Sequence, residues 1–384
     1  MINNPADINP SLYGSGATNG AFIIWAGSAI LRDYSPLGAQ VYYSGGHESS
    51  AGQPNIQLSV VCDFSSLTWS VRNLPIALNA SSSFDLQTGL AADGTPYCPH
   101  TYLGLQEFPA AWGGAATGTL ASFFWAGSSF VNRVNLLDIS QSRNGYSQMS
   151  TTQPQNSAPT RISFRADGGA SGSTYPITVQ DNARQGWWLA TNGQVDYTLF
   201  LSRTGVITQY PAVNGNGQDG SLVLCDSLNL LIFVDGGYDS GEYASSAYRT
   251  INIRNLSNNT STASQVNGAV PSASIGYAGG TVRNYHTPGK MGLQWVEDLQ
   301  AIVGLDESTS PPTIVKLTPP ASNPAQAAWT WSTISVQHWP VDTAGQPVLQ
   351  NVENRVWSKF RYVPTLKAFV YCTAANRKPQ VIKL

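Results

Sequence analysis

The chain has 384 residues, a formal net charge of -2 and only 11% charged residues, against roughly 25% in ordinary soluble proteins. A charge this sparse excludes a broad basic surface for nucleic acid, and 42% hydrophobic with 10% aromatic residues exclude a disordered chain. No apolar run reaches the length of about 18 residues that a membrane helix needs, and Met1–Asp7 has neither the basic region nor the apolar core of a signal peptide. The 36 glycines and 23 prolines, with abundant Ser, Asn and Thr, favour strands and turns over helices.

In chain order, the first unit spans about Ala21 to Pro75. Its strands are expected at Phe22–Ala26, Gln40–Ser44, Gln57–Asp63 and Thr68–Arg72. A second unit covers Thr101 to Met149, with strands at Tyr102–Leu105, Leu120–Trp125 and Arg133–Ile139. A third runs from Arg161 to Tyr210 through Gly186–Ala190 and Tyr197–Leu201. A fourth runs from Ser221 to Leu256 through Leu230–Val234 and Arg249–Arg254. A fifth runs from Gly292 to Val336 through Thr313–Leu317 and Trp329–Ser332. The last has three strands, Lys359–Val363, Ala368–Cys372 and Gln380–Leu384.

Within these units one pattern recurs: a short strand, a polar turn, then an apolar strand. It is read at Val179–Leu189, Leu224–Val234, Trp295–Leu305 and Tyr362–Cys372, and more loosely in the stretch ending Val41–His47. Repeated small sheets predict an all-β fold, a single β-propeller domain over 1–384 with six blades of mostly four antiparallel strands. Seven blades remain open if the interval from Asn79 to Gly118 hides another. The last blade needs a fourth strand from the N-terminus, within Leu12–Ile30, to cover its edge. Long loops or insertions are expected at about 79–118, 141–159 and 258–290.

Gly45-Gly46-His47, followed by Asp63 and Thr68-Trp69, resembles a kelch repeat, and Gly236-Gly237 fits its first half. The C-terminal Lys359–Pro364 with Ala368–Val370 is similar to the last blade of galactose-oxidase-like propellers. The uncharged Asn/Ser/Gly/Thr surface also resembles propeller proteins of short-tailed phage tails and nozzles. That resemblance implies a structural role among other virion tail proteins and copies of the same chain, with no cofactor. The location it implies is the virion tail, or the cytoplasm before assembly.

The candidate chemistry is scattered. His47 sits on a blade-end loop, where bonding its own loop is the plainer role. Arg283, Tyr285 and His286 share a loop, and the resemblance to propeller polysaccharide lyases implies proton abstraction and charge neutralisation for such a set. Asp235, Asp239 and Glu242 surround a glycine pair and could wrap a cation, although a solvated turn is the plainer reading. Cys98 and His100 lie two apart, as one strand face requires, but a buried bonded histidine accounts for His100. His338 belongs to no metal signature. Trp112 and Tyr285 are candidates for stacking on a sugar. Cys62, Cys225 and Cys372 fall in apolar runs, as small buried hydrophobes do. The resulting expectation is a rigid structural platform, more readily a non-enzyme, with a carbohydrate-active enzyme or glycan-binding propeller as the rival.

Overall fold

The computed structural model describes residues 27–44, 58–66, 68–73, 101, 103–123, 133–141, 146–151, 176–191, 197–211, 220–234, 238–239, 242–243, 249–269, 271, 291–307, 311–339, 356–371 and 380–383. Apolar and polar residues alternate over short runs separated by turn residues, and these runs pair as antiparallel meanders. The first is β1 (Gly27–Leu31), β2 (Ala39–Ser44), β3 (Leu58–Asp63) and β4 (Thr68–Asn73). The second is β5 (Leu105–Phe108), β6 (Thr119–Ser122), β7 (Arg133–Asp138) and β8 (Tyr146–Ser150), and the third is β9 (Pro176–Asp181), β10 (Gly186–Thr191), β11 (Tyr197–Ser202) and β12 (Ile207–Pro211).

An eight-stranded sheet follows. It begins with β13 (Ser221–Cys225) and β14 (Leu230–Val234). The small hairpin β15 (Tyr238–Asp239) and β16 (Glu242–Tyr243) then interrupts the sequence before β17 (Thr250–Asn255) and β18 (Thr260–Gly268). The sheet continues with β19 (Gln294–Val296), β20 (Ala301–Asp306), β21 (Thr313–Thr318) and β22 (Trp329–Ile334). Its two halves join where β18 and β22 pair in parallel, Val266 opposite Trp329 and Gly268 opposite Trp331. A three-stranded sheet closes the series: β23 (Arg361–Val363), β24 (Ala368–Tyr371) and β25 (Gln380–Lys383).

The arrangement is a β-propeller. The strands β1, β5, β9, β13, β19 and β23 lie beside one another in that order, and the turn before β23 returns to β1. Ser28 donates two hydrogen bonds to Ser358 there, from its amide to the hydroxyl and from its hydroxyl to the carbonyl, and Gln40 Nε2 donates to the Lys359 carbonyl at 2.8 Å. Consecutive sheets bury apolar faces against each other. Leu31, Val41 and Tyr43 meet Leu105, Leu120 and Leu137, while Trp188 meets Leu222, Leu224 and Phe233. Between β6 and β10, Trp187 packs among Phe108, Trp112 and Phe123 with ring centroids 5.2 to 5.7 Å apart. Inner strands sandwiched on both sides, such as β14 and β20, are buried at every position, whereas outer β22 alternates.

Several expectations need correction. The innermost strand of the first sheet is Gly27–Leu31, and Phe22–Ala26 lies outside the described residues. Gly27–Ile30 therefore belongs to the first sheet and cannot close the last one; the rest of Leu12–Ile30 lies outside the described residues. The inner strand of the second sheet is Leu105–Phe108, a few residues beyond Tyr102–Leu105, and Leu103 instead makes a parallel bridge to Ile177. The 79–118 interval thus supplies this inner strand. Two expected loops hold outer strands: Tyr146–Ser150 within 141–159 and Thr260–Gly268 within 258–290. Outermost strands need no apolar run, so Ser, Thr, Gln and Asn there read as loop. Val41–Ser44 is the second half of β2, the strand that follows the inner turn ending at Gly38, so the loosest of the five repeats occupies the same place in its sheet as the others.

Trp187 is fully buried, so Trp187→Ala is expected to cost about 3–5 kcal/mol, measured as a shift in the urea midpoint. Lys367 holds a left-handed backbone with φ 47°. Lys367→Gly relieves that strain, is partly offset by unfolded-state entropy, and is expected to gain about 0.5 kcal/mol in the same assay.

Candidate functional site

The first two strands of each sheet are joined by a turn whose last residue takes a left-handed backbone. These residues are Gly38, Gly118, Gln185, Asn229, Gln300 and Lys367, each immediately before the second strand. The amides of Asn229, Gln300 and Lys367 donate to the carbonyls of Asp226, Glu297 and Pro364, closing four-residue turns. Aligned on this residue, Asn182 is the counterpart of Asp226, Glu297 and Pro364, so the Val179–Leu189 repeat sits one residue out of step with the others.

Because each meander starts at the centre, these turns gather around the axis on one face. Together with the six innermost strands they line a central cavity of about 690 Å³. Its wall combines Leu103, Leu222 and Leu293 with Gln106, Thr178 and Gln294. The turn-side mouth carries Arg32, Asn182, Asp226, Glu297 and Asp298.

Hydrogen bonds tie these groups across neighbouring sheets. The Arg32 guanidinium pairs with buried Glu107 at 2.7 Å, and the Ala110 amide donates to Asp33 at 2.9 Å. Arg203 Nη1 donates to the Trp112 carbonyl. Arg184 pairs with fully buried Asp181 at 2.9 Å and reaches Asn229 at 2.6 Å. Ser227 reaches Gln300 at 3.5 Å, the Tyr362 hydroxyl donates to Asp298, and Thr365 donates to the Leu37 carbonyl. The belt passes through every sheet in turn.

The electrostatics at the mouth are uneven. Partial burial, with the charges of Asp181 and Glu297, pushes the Asp226 carboxyl up to about 6, against the opposing pull of Arg32 and Arg184. Burial and the bonded Asp298 carboxylate push Tyr362 up to about 12, so its hydroxyl stays a donor. Burial, then the Asp226 and Glu297 charges, push the Cys225 thiol up, which keeps it unreactive. Such a mouth attracts cations and hydrogen-bond donors, and Asp226 can exchange a proton near neutral pH.

The residues singled out from sequence are mostly elsewhere. His47, His100, Arg283, Tyr285, His286 and Asp235 lie outside the described residues, as do the side chains of Asp239 and Glu242, whose backbones pair in the β15–β16 hairpin. His338 is exposed after β22. Trp112, expected to stack on a sugar, is buried against Phe108 and Trp187, because its short 3-10 turn folds back onto the sheet interface. Cys62 and Cys225 are buried free thiols. Among the described residues no group of His, Cys, Asp or Glu is arranged to hold a metal ion. Sequence reading missed Arg32, Glu107, Asp298 and Arg361. Asp226 and Glu297 were visible as the polar turn of the repeat, but not as neighbours.

No family model matches the sequence, and no curated protein matches it. Solved structures align with it at low likeness. A catalytically inactive variant of virginiamycin B lyase from Staphylococcus aureus, bound to quinupristin, is 12% identical with a TM-score of 0.37, over 95% of this chain and 86% of that one. A chain of the mitotic checkpoint complex is 11% identical with a TM-score of 0.40, over 95% and 90%. A luciferin-regenerating enzyme is 10% identical with a TM-score of 0.43, over 93% and 86%. None of these likenesses carries an activity to this chain.

The raised Asp226 carboxyl binds its proton more tightly in the folded protein than in the unfolded chain. Its ionisation therefore opposes folding, with the penalty growing as pH rises from about 4 to about 6 and complete above that. Asp226 is exposed, so solvent screening reduces the effect to about 1 kcal/mol. Asp226→Asn is expected to stabilise the protein by that amount at pH 7 and to be neutral at pH 4, read from denaturation at the two pH values.

Proposed function

We propose that the chain is a structural platform: a six-bladed, kelch-like propeller that binds neighbours through its outer rim within a larger assembly. The six-blade count treats each half of the eight-stranded sheet as one blade, which the six left-handed inner turns support. The observation that carries the function is the character of the rim. Four of the six outermost strands, β8 (Tyr-Ser-Gln-Met-Ser), β12 (Ile-Thr-Gln-Tyr-Pro), β18 (Thr-Ser-Thr-Ala-Ser-Gln-Val-Asn-Gly) and β22 (Trp-Thr-Trp-Ser-Thr-Ile), contain no charged residue, while β4 carries Arg72 and β25 carries Lys383. Edge strands of free-standing proteins are usually guarded by charge, since their unpaired backbone groups recruit other strands. The pairing of β18 with β22 is an instance within this chain of one outer strand accepting another.

The assembly we favour is the tail or nozzle of a short-tailed phage virion, with copies of the chain and other tail proteins as partners. Low overall charge supports this reading, since a buried rim needs little charge for solubility. A second reading, a glycan-binding or lyase-like propeller, draws on one observation. The central cavity places the Asn182 amide and the half-buried Trp295 along its wall, an amide and an aromatic ring of the kind that meets sugar hydroxyls and rings.

Electron microscopy of particles from the native source is expected to show the propeller in repeated copies joined along β8 or β18. Placing lysines on those exposed edges, Ser147→Lys with Ser261→Lys, is expected to weaken self-association about tenfold in sedimentation velocity. A chain that stays monomeric at all concentrations and is absent from every particle would exclude the platform.

A further inference from the structure

Among the described residues Arg361 is a cation without an anion. The ion pairs among the described residues are Arg32–Glu107 and Arg184–Asp181, and Arg361 takes part in neither. Its Nε is buried with no acceptor. One long contact, Nη2 to the Ser28 carbonyl at 3.4 Å, engages the rest of the guanidinium. Arg361 as a residue is half-buried, its Nε being the fully buried part; Arg254, wholly buried, is differently placed, since it donates to Asn259 and lies 5.5 Å from the centre of the Tyr210 ring. Buried charges are ordinarily paired, because an isolated one forfeits its hydration without return. Burial lowers Arg361 to about 10, which leaves it charged at neutral pH.

Arg361 also lines the central cavity. It opens β23, level with Gln294 at the start of β19, and its guanidinium reaches the Ser28 carbonyl near the start of β1, so it faces the strand-start end, away from the inner turns. The cavity wall towards that end is neutral, with Gln294 and Ser221 beside the apolar Ala29, Leu103 and Leu293, and the titratable group whose field reaches Arg361 is the Tyr42 phenol. The opposite mouth holds Asp226, Glu297 and Asp298. A field of this polarity drives an anion towards Arg361 and penalises any ligand whose negative charge extends to both ends.

We propose that the strand-start end of the central cavity binds a small monocarboxylate, its carboxylate paired with Arg361 and its apolar body against Ala29, Leu103 and Leu293. Guanidinium and carboxylate match in shape and can bond in parallel. A single negative charge satisfies Arg361 without meeting the acidic mouth. This site is independent of the rim contacts proposed above.

The test is calorimetric titration of the full chain with butyrate and with its neutral match, butyramide. Butyrate is expected to bind saturably, butyramide at least about tenfold more weakly, and Arg361→Met is expected to lower butyrate affinity by at least about tenfold. Equal affinity for both ligands, unchanged butyrate affinity in Arg361→Met, or no butyrate binding at millimolar concentration would each overturn the site. If Arg361→Met does not fold, a crystal of the unsubstituted protein with 4-bromobutyrate decides. A bromine anomalous peak in the central cavity beside Arg361 supports the proposal, and a peak only elsewhere, or none, refutes it.

Discussion

A meander of four short strands has two faces to bury, and this chain makes both of them apolar near the centre. Leu230–Val234 and Ala301–Asp306 are buried along their whole length. A strand of that kind is stable only between two other layers. Setting each sheet between a predecessor and a successor satisfies every sheet at once when the series closes on itself. Closure in turn draws the first strand of every sheet to a common axis and leaves the outermost strands at the rim. The central cavity and the position of the outermost strands at the rim are thus two consequences of one packing requirement.

Closure also concentrates polar chemistry on one face. The inner turns cannot be apolar, since each must reverse the chain with a left-handed residue and leave its carbonyls near water. Gathered around the axis, they set Arg32, Asp226, Glu297 and Asp298 close enough to influence one another. Bonds such as Arg184 to Asn229 and Tyr362 to Asp298 make the mouth part of what holds adjacent sheets in register. Buried Asp181 shows the economy of this arrangement: one carboxylate accepts from both Arg184 and the Trp188 indole, joining a turn to the core beneath it.

Much of the strand framework was legible in the residues. Ala39–Ser44, Leu58–Asp63, Gly186–Thr191, Leu230–Val234 and Thr313–Thr318 all stand within a residue or two of the runs read from apolar and β-branched patterning. The outer strands Tyr146–Ser150 and Thr260–Gly268 were not legible, because one side of each faces solvent and asks nothing apolar of the sequence. Leu105–Phe108 was displaced from its reading because Tyr102–Leu105 is the more apolar run, and Gln106 and Glu107 are accommodated only by pairing with Thr119–Ser122 and by bonds to the neighbouring sheets.

The sequence by itself determined the strand–turn–strand unit: a short apolar strand, a polar reversal ending at Asn229, Gln300 or Lys367, and a second strand fit for burial on both faces. These are local properties, set by backbone sterics and by the alternation of side chains over a few residues. Only the tertiary structure decided which members of those units meet. Asp226 and Glu297 lie 71 positions apart yet share the mouth of one cavity, and Arg361 faces Ser28 from the other end of the chain. No periodicity encodes such meetings. They follow from the angle at which one packed sheet succeeds the next around a closed ring, which is settled by the side chains buried between sheets and not by the residues that ultimately face the axis.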